Sequence, residues 1–223
     1  MKSVIITGAS GNLGKAIAEK FLIEGYNVAG TVLSKQPTSK QAGETSMEDS
    51  VVDLRNEDSA DRFVSATIEK YGAIDVAVLT AGGFVMGDIA STGMQDIVQQ
   101  FTLNFQTAYN IARPVFLQMM KQGSGYIFLV GSTAGADMKK SKGKIAYGLS
   151  KSLLFRLAEL FNEEAIGKSI RTSVIIPSTI DTPQNRKAMP DADFTKWTKP
   201  EKIADLVFEK AVGKSAYEQS FDV

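Results

Sequence analysis

Short runs of apolar residues alternate along the chain with longer stretches in which apolar residues recur every three or four positions. The short runs predict buried strands, because strands covered on both faces lack polar alternation. The longer stretches predict helices with one apolar face. The predicted strands are Val4–Ile6, Asn27–Val32, Ser50–Leu54, Asp75–Leu79, Tyr126–Val130 and Thr172–Ile176. The predicted helices are Asn12–Glu24, Asn56–Tyr71, Gly93–Lys121, Lys144–Ile166 and Pro200–Val212.

The order of these elements predicts an α/β fold of the Rossmann type, with a doubly wound, mostly parallel sheet and helices on both faces. The 223 residues fit a single domain, and no repeat or linker interrupts residues 1–223. After the last helix, Ser220–Val223 leaves little chain for a final strand. In such folds, ligands bind at the carboxyl edge of the sheet.

Composition removes several classes of function. Lys plus Arg and Asp plus Glu both number 25, and this balance argues against a nucleic-acid binder. The chain contains no Cys and no His, which excludes thiolate zinc sites and Ser-His-Asp hydrolysis, and no metal site is predicted. Proton transfer must therefore use Tyr, Lys, Asp, Glu or water. No apolar run approaches the roughly 20 residues of a membrane span, and no secretory leader is recognised, so a cytoplasmic location is expected.

A glycine-rich turn joins the first strand to the first helix. Gly8, Gly11 and Gly14 recur every third residue. Glycine lets a phosphate approach the backbone, and the helix start offers free N–H groups and a positive dipole end. This context favours binding of a dinucleotide. The alternative is a tight turn that binds nothing.

Tyr147 and Lys151 are four residues apart in a predicted helix and therefore share a face. An ammonium group near a phenol favours the phenolate, so we expect Lys151 to lower the pKa of Tyr147 and to fit it for acid–base chemistry. Ser132 follows the fifth strand and can hydrogen-bond a substrate oxygen. The alternatives are a chance pair on an amphipathic helix and a serine that caps a helix.

These features, taken together, resemble the short-chain dehydrogenase/reductase family over nearly the whole chain. The residues that carry the resemblance are the glycine turn, Asp53, Ala81-Gly82, Asn104, Ser132 and Tyr147-x-x-x-Lys151, in the family's order.

The resemblance implies a role for each matching residue. Tyr147 would give or take the proton, Lys151 would hold the nicotinamide ribose, Ser132 would orient the carbonyl, and Asn104 would hold a water in the proton relay. The cofactor contacts implied are Gly8, Ser10, Gly11, Asn12, Leu13, Gly14, Ser34, Lys35, Asp53, Leu54, Ala81, Gly82, Tyr147, Lys151, Pro177, Ile180 and Thr182. Asp53 alone is equally typical of a turn or a helix cap. Family members usually form homodimers or homotetramers through the helices near 94–121 and 144–166.

Two segments depart from the commonest family pattern. Asn12 stands where the middle glycine is usual, and Thr80 replaces the usual Asn of Asn-Ala-Gly. The glycine turn and the segment 177–198 are similar to those of dihydropteridine reductases. That branch usually lacks the Ser and Asn present here as Ser132 and Asn104. Reduction of a quinonoid pterin is therefore the alternative to reduction of a small carbonyl compound.

The second strand bears on the choice of cofactor. Its end carries no carboxylate to bind the adenosine ribose 2′-hydroxyl, and Ser34 and Lys35 follow it. This favours NADP(H), with NAD(H) left open, since Lys35 is equally typical of a solvated loop.

The segment 178–198 is expected to cover the substrate as a lid. Met189, Phe194 and Trp197 either line an apolar pocket there or simply pack the segment onto the sheet. The leading function is a nicotinamide-dependent oxidoreductase acting on a CH–OH or C=O group. An alternative of another class is a binding protein that senses NAD(P) without catalysis.

Overall fold

The computed structural model describes residues 1–34, 47–213 and 217–223. The strands are β1 (Ser3–Thr7), β2 (Asn27–Val32), β3 (Met47–Val51), β4 (Val76–Leu79), β5 (Ser124–Val130), β6 (Ser169–Ile176) and β7 (Ser220–Asp222). The α-helices are α1 (Asn12–Ile23), α2 (Glu57–Tyr71), α3 (Met94–Gln100), α4 (Thr107–Gln122), α5 (Thr133–Ala136), α6 (Ile145–Glu164), α7 (Pro183–Ala188) and α8 (Pro200–Ala211). A π-helix (Phe101–Gln106) joins α3 to α4, and 3₁₀ turns lie at Met138–Ser141 and Phe194–Lys196.

The described strands form one seven-stranded sheet in the order β3-β2-β1-β4-β5-β6-β7. Every pair is parallel, for example Ile5 with Ala29 of β2 and with Ala77 of β4. This confirms the predicted Rossmann-type α/β fold. The strand order reverses between β1 and β4, and a crevice for a ligand opens at such a reversal.

The sheet buries an apolar cluster on each of its faces. One cluster joins α2, α4 and α6 to the sheet, with Ile111 and Met119 fully buried. The other joins α1 and α8 to the opposite face, and Phe21 and Phe128 are fully buried in it. Because both faces are covered, the centre of β1, all of β4 and most of β5 are continuous apolar runs. The helices thereby hold the strand ends, and the loops that follow them, in fixed positions.

Three elements differ from the sequence prediction. Strand β3 is Met47–Val51 rather than Ser50–Leu54, because Val52 and Leu54 bury their side chains beyond the end of the ladder. The single long helix predicted for Gly93–Lys121 is divided by the π-helix. The short C-terminus does form a strand, since Phe221 of β7 pairs with Ile175 of β6.

Candidate active site and cofactor crevice

The glycine turn is closed by its own backbone. Gly8 has a left-handed φ of 64°, and the Gly11 N–H donates to the Gly8 carbonyl oxygen at 2.9 Å. A Cβ at Gly14 would lie only 2.3 Å from that same oxygen. The turn is therefore too tight for a side chain at position 14, and α1 begins directly against β1.

The start of α1 fits an anionic phosphate group. Gly11 caps the 12-residue helix without a side-chain hydrogen bond, and the first turn contains no acidic residue. The first N–H groups and the positive end of the helix dipole are thus presented to the crevice. Ser10, Gly11 and Asn12 are exposed here, whereas the side chain of Leu13 is buried in the core. Leu13 can contact a cofactor only through its backbone.

The segment 178–198 contacts this turn directly. The Asn12 side-chain amide donates to Gln184 Oε1 at 2.8 Å, which joins the start of α1 to α7. Thr182 caps α7 by accepting from the Asn185 N–H at 3.1 Å, and the Asn185 amide donates to the Ile180 carbonyl at 2.8 Å. Pro177, Ile180 and Thr182 therefore lie on a structured segment beside the crevice.

Ser132 and Tyr147 are brought together at the carboxyl edge of the sheet. Ser132 is buried, follows β5 and accepts a hydrogen bond from the Gly135 N–H at 3.1 Å as the cap of α5. Burial raises the pKa of Tyr147, and the Ser132 side chain partly opposes this rise. The predicted lowering of the Tyr147 pKa by Lys151 is therefore wrong, since desolvation dominates and keeps the phenol protonated at neutral pH.

Lys151 lies on the same face of α6 as Tyr147, as predicted. Its ammonium nitrogen is 5.9 Å from the centre of the Tyr147 ring and donates to the Val130 carbonyl at 2.7 Å. The residue is only 6% exposed, and burial lowers its pKa to about 8. A buried lysine without a carboxylate is costly, and such groups are typical of functional sites.

Asn104 lies inside the π-helix with its side chain fully engaged. Its Oδ1 accepts from the Gly83 N–H at 2.9 Å, and its amide donates to Gln100 and to Ser150 Oγ, both at 3.1 Å. The Ser150 hydroxyl donates in turn to the Tyr147 carbonyl at 2.8 Å. Asn104 thus links the loop after β4 to α6. π-Helical turns are frequent at functional sites.

Gly82 shows how closely these groups converge. A Cβ on Gly82 would lie 2.6 Å from Asn104 Oδ1 and 3.4 Å from Lys151 Nζ. Its neighbour Ala81 donates from its N–H to Thr7 Oγ1 at 3.1 Å, at the end of β1. The loop after β4 therefore lies between the glycine turn and the predicted catalytic residues, at the reversal of strand order.

Asp53 and Leu54 occupy the neighbouring loop after β3, where Asp53 bonds its close neighbour Arg55 and Leu54 bonds α4. Both carboxylate oxygens of Asp53 accept from the Arg55 guanidinium, at 2.8 and 3.0 Å, which lowers the pKa of Asp53. Leu54 is buried, and its carbonyl accepts from the Asn110 amide at 2.9 Å. Asp53 already has a cationic partner, so its role in a cofactor site stays a prediction.

The end of β2 contains a carboxylate neighbour that the sequence did not reveal. Asp49 of β3 pairs with Gly30, and a Cβ on Gly30 would lie 2.3 Å from Asp49 Oδ1 and 2.8 Å from the Ala9 side chain. That oxygen is buried without a hydrogen-bond partner among the described residues, and desolvation raises the Asp49 pKa. Ser34 is exposed, and Lys35 lies outside the described residues.

Phe84 was not predicted from the sequence as a site residue. Its ring lies edge-on to the Tyr147 ring, with the ring centres 4.9 Å apart. Gln100 and Ser150 were likewise missed, although Ser150 lies within the Tyr147–Lys151 motif and three residues from Tyr147. Phe194 and Trp197 contact each other, with ring centres 4.7 Å apart, and Met189 is exposed.

In the ranges 1–34, 47–213 and 217–223, no group of three or more acidic side chains is placed to hold a metal ion. Across the same ranges, no helix combines the length and apolar character that a bilayer crossing requires.

Comparison with known proteins agrees with the fold. The chain is 27% identical to a 3-oxoacyl-acyl-carrier-protein reductase of Thermotoga maritima, over 97% of this chain and 92% of that protein. It is 27% identical to a dihydropteridine reductase of Dictyostelium discoideum, over 93% and 87% of the two chains. An aldohexose dehydrogenase structure from Thermoplasma acidophilum superposes with a TM-score of 0.84 at 25% identity, covering 100% of this chain and 92% of the other. The family model described as short chain dehydrogenase matches residues 2–193, and the chain belongs to that family of oxidoreductases.

Proposed function

We propose that the protein reduces a small carbonyl compound with a nicotinamide dinucleotide, and that Tyr147 supplies the proton. The observation that carries this proposal is the convergence of Ser132, Tyr147, Lys151 and Asn104 beside the glycine turn. The dinucleotide, when bound, supplies the hydride. The exposed glycine turn and the uncapped start of α1 would hold its phosphates.

Burial raises the pKa of Tyr147, so the phenol holds the proton that reduction of a carbonyl requires. A protonated phenol can donate its proton to a carbonyl oxygen, whereas a phenolate can only accept one. The Ser132 hydroxyl lies beside it and would orient that oxygen. Lys151, with a pKa of about 8, stays mainly protonated at pH 7 and can return a proton towards Tyr147 through solvent or ribose hydroxyls.

Replacement of Tyr147 by Phe tests this assignment. Removing the proton donor should lower turnover by about 10²- to 10⁴-fold, while the dissociation constant of the dinucleotide changes by no more than about 3-fold. Nicotinamide absorbance measures turnover, and calorimetry measures binding. Tyr109→Phe on the exposed side of α4 is the matched control and should behave as wild type. Retained turnover in Tyr147→Phe would refute the assignment.

We propose NADPH as the preferred cofactor. The support is that Gly30–Ser34 carries no carboxylate to repel a 2′-phosphate, and Ser34 is exposed at the end of β2. Fluorescence titration should give a lower dissociation constant for NADPH than for NADH. Ser34→Asp should weaken NADPH binding and leave NADH binding within about 3-fold, because only NADPH meets like-charge repulsion. Tighter binding of NADH by the wild type would overturn the preference.

Quinonoid dihydropteridine is the second candidate substrate. The observations in its favour are the likeness to the dihydropteridine reductase of Dictyostelium discoideum and the structured segment 178–198, which we propose covers the substrate. Parallel assays with a quinonoid pterin and with small ketones and aldehydes decide between the two classes. A protein that binds the dinucleotide but reduces none of them would instead fit the sensing function.

We also propose a homo-oligomer, a dimer or a tetramer. The π-helix, α4 and α6 present exposed apolar side chains on the outside of the molecule, among them Phe101, Leu117, Leu149 and Leu160. Apolar surface of this kind is typical of subunit interfaces. Light scattering measures the mass in solution, and a monomer at micromolar concentration would contradict the proposal.

A further inference from the structure

Along the chain, a run of lysines lies between Ser132 and Tyr147 of the candidate active site. Residues 138–144, here called the lysine segment, contain Lys139, Lys140, Lys142 and Lys144. They follow Ser132 and α5 and precede Tyr147 on α6. With Asp137 included, four lysines and one aspartate give residues 137–144 a charge of +3, in a chain whose formal net charge is zero.

These four lysines have no carboxylate partner among the described residues. Elsewhere, Lys20 lies 2.8 Å from Glu24 and Lys210 lies 3.0 Å from Glu218. Lys139, Lys140 and Lys142 are exposed. The segment is therefore a concentration of unneutralised positive charge.

The acidic residues within 84–88 and 137–144 are Asp88 and Asp137, and both hold local turns. Asp137 Oδ1 accepts from the Lys139 backbone N–H at 2.9 Å. Asp88 accepts from the N–H and hydroxyl of Ser91, at 2.9 and 2.7 Å. Even with Asp88 counted, the local charge is +2, the difference between +3 and one carboxylate.

The lysine segment is fixed against the site by backbone contacts. The Gly87 N–H donates to the Gly143 carbonyl, and the Ile145 N–H donates to the Gly87 carbonyl, both at 2.9 Å. Ser141 hydrogen-bonds the Ala134 carbonyl, which ties the segment to α5. Lys144 immediately precedes α6 and lies three residues before Tyr147. The lysines are thus held at the edge of the site.

An apolar strip runs from Tyr147 to this segment. Phe84, Val85 and Met86 are 57%, 40% and 63% exposed, and the Phe84 ring contacts Tyr147. Gly87 follows them and pairs with Lys144. Three consecutive exposed apolar side chains indicate a surface that another molecule covers. The site therefore presents, in order, a proton donor, an apolar strip and a group of cations.

We propose that the carbonyl substrate carries an anionic group at the end of a short apolar chain, and that the lysine segment binds this group. The anion belongs to the class of carboxylates, sulfonates and phosphate esters. The apolar chain lies on Phe84–Met86, and the carbonyl lies at Tyr147. The inference rests on the proposed reductase function and specifies the substrate class of the same site.

Matched acids and esters test the proposal in turnover. The probes are 4-oxopentanoate, 5-oxohexanoate, 6-oxoheptanoate and 7-oxooctanoate, each compared with its methyl ester, with NADPH at low salt. We expect kcat/KM for at least one acid to exceed that of its ester about 10-fold, as three surface cations together allow. The advantage should disappear in 1 M NaCl, where charges are screened within about 3 Å. Esters reduced as well as all the acids would overturn the proposal.

Charge-matched variants locate the effect. Lys139→Gln, Lys140→Gln and Lys142→Gln combined should raise KM for the preferred acid about 10-fold and leave its ester unchanged. The control combines Lys121→Gln, Lys168→Gln and Lys202→Gln, which removes the same charge from exposed positions on α4, before β6 and on α8. The control should keep the preference for the acid. An equal loss in both variants would show general electrostatics and overturn the proposal.

A binding measurement separates this inference from the proposed function. With the protein saturated by NADPH, calorimetry should show hexanoate binding about 10-fold more tightly than 1-hexanol, and the lysine variant should lose this difference. If the difference is present but no ketone is reduced, the anion site stands and the reductase assignment fails for these substrates. If hexanoate and hexanol bind equally, the inference fails even where ketones are reduced.

Discussion

Lys151 should make the stability of the protein depend on pH in a way that a single substitution removes. Among the described residues, the buried ammonium group hydrogen-bonds only the Val130 carbonyl, and its pKa is about 8, compared with 10.5 for an ordinary lysine. The unfolded chain therefore binds the proton more tightly than the folded chain does. Uncharged Lys151 therefore favours folding relative to the charged form. This stabilisation is fully present above pH 10.5 and is lost as the pH falls through 8.

The magnitude follows from the two pKa values. A fall from 10.5 to about 8 corresponds to a penalty of about 3 kcal/mol for the charged form at pH 7, at about 1.4 kcal/mol for each tenfold change in proton affinity. About 2 kcal/mol of this penalty should be relieved between pH 7 and pH 9.5. In a chain of this size, that relief corresponds to a shift in Tm of about 4–8 °C.

The assay is urea unfolding of wild type and Lys151→Met at both pH values. The free energy of unfolding of wild type minus that of the variant should increase by about 2 kcal/mol from pH 7 to pH 9.5. Subtraction cancels the other groups that titrate in this range. Lys168→Met, at an exposed position, is the control and should give a constant difference. A constant difference for Lys151→Met as well would refute the reasoning.

Two further substitutions test local geometry. Gly14→Ala places a Cβ 2.3 Å from the Gly8 carbonyl oxygen, so the turn must shift. NADPH binding measured by calorimetry should weaken by about 10-fold or more, and the free energy of unfolding should fall by about 1–3 kcal/mol. An unchanged dissociation constant would contradict this. Asp49→Asn removes a carboxylate whose pKa is raised by burial in the folded protein. Such a group favours folding below its unfolded pKa of about 3.8, and this stabilisation is lost as the pH rises. The variant should therefore be more stable at pH 7, by up to about 1 kcal/mol because the group is partly solvated, and the gain measured by urea unfolding should vanish near pH 3.

The sequence predicted the sheet well because its central strands leave little choice. Val4–Ile6 and Val76–Leu79 are continuous apolar runs, which are typical of strands covered on both faces. Edge strand β3 was misplaced, because Met47–Val51 is largely polar and is defined by its pairing with β2. Pairing between distant segments has no local signal.

The sequence predicted which residues form the candidate site and their order along the chain. It did not predict the pKa shifts or the hydrogen bonds between them. The shared face of Tyr147 and Lys151 followed from helical spacing. The direction of the Tyr147 pKa depends on burial among neighbours that spacing does not reveal. The π-helix likewise depends on Asn104 bonding Gly83 and Ser150, which come from separate parts of the chain. Asp49 lies over Gly30 for the same reason, since only the fold brings the two together.

The reversal of strand order between β1 and β4 also divides the chain into two parts with different proposed roles. The glycine turn, Ser34 and Asp53 follow the ends of β1, β2 and β3, on one side of the reversal. Asn104, Ser132, Tyr147 and the lysine segment all come later in the chain, from β4 onwards. Under the proposed function, the first part binds the adenosine and phosphate groups of the cofactor, and the second part binds the nicotinamide end and the substrate. Changes in the second part can therefore alter substrate choice while the adenosine and phosphate contacts stay the same. Chimaeras joined within the loop after β4, near Gly82, are a natural route to new specificities.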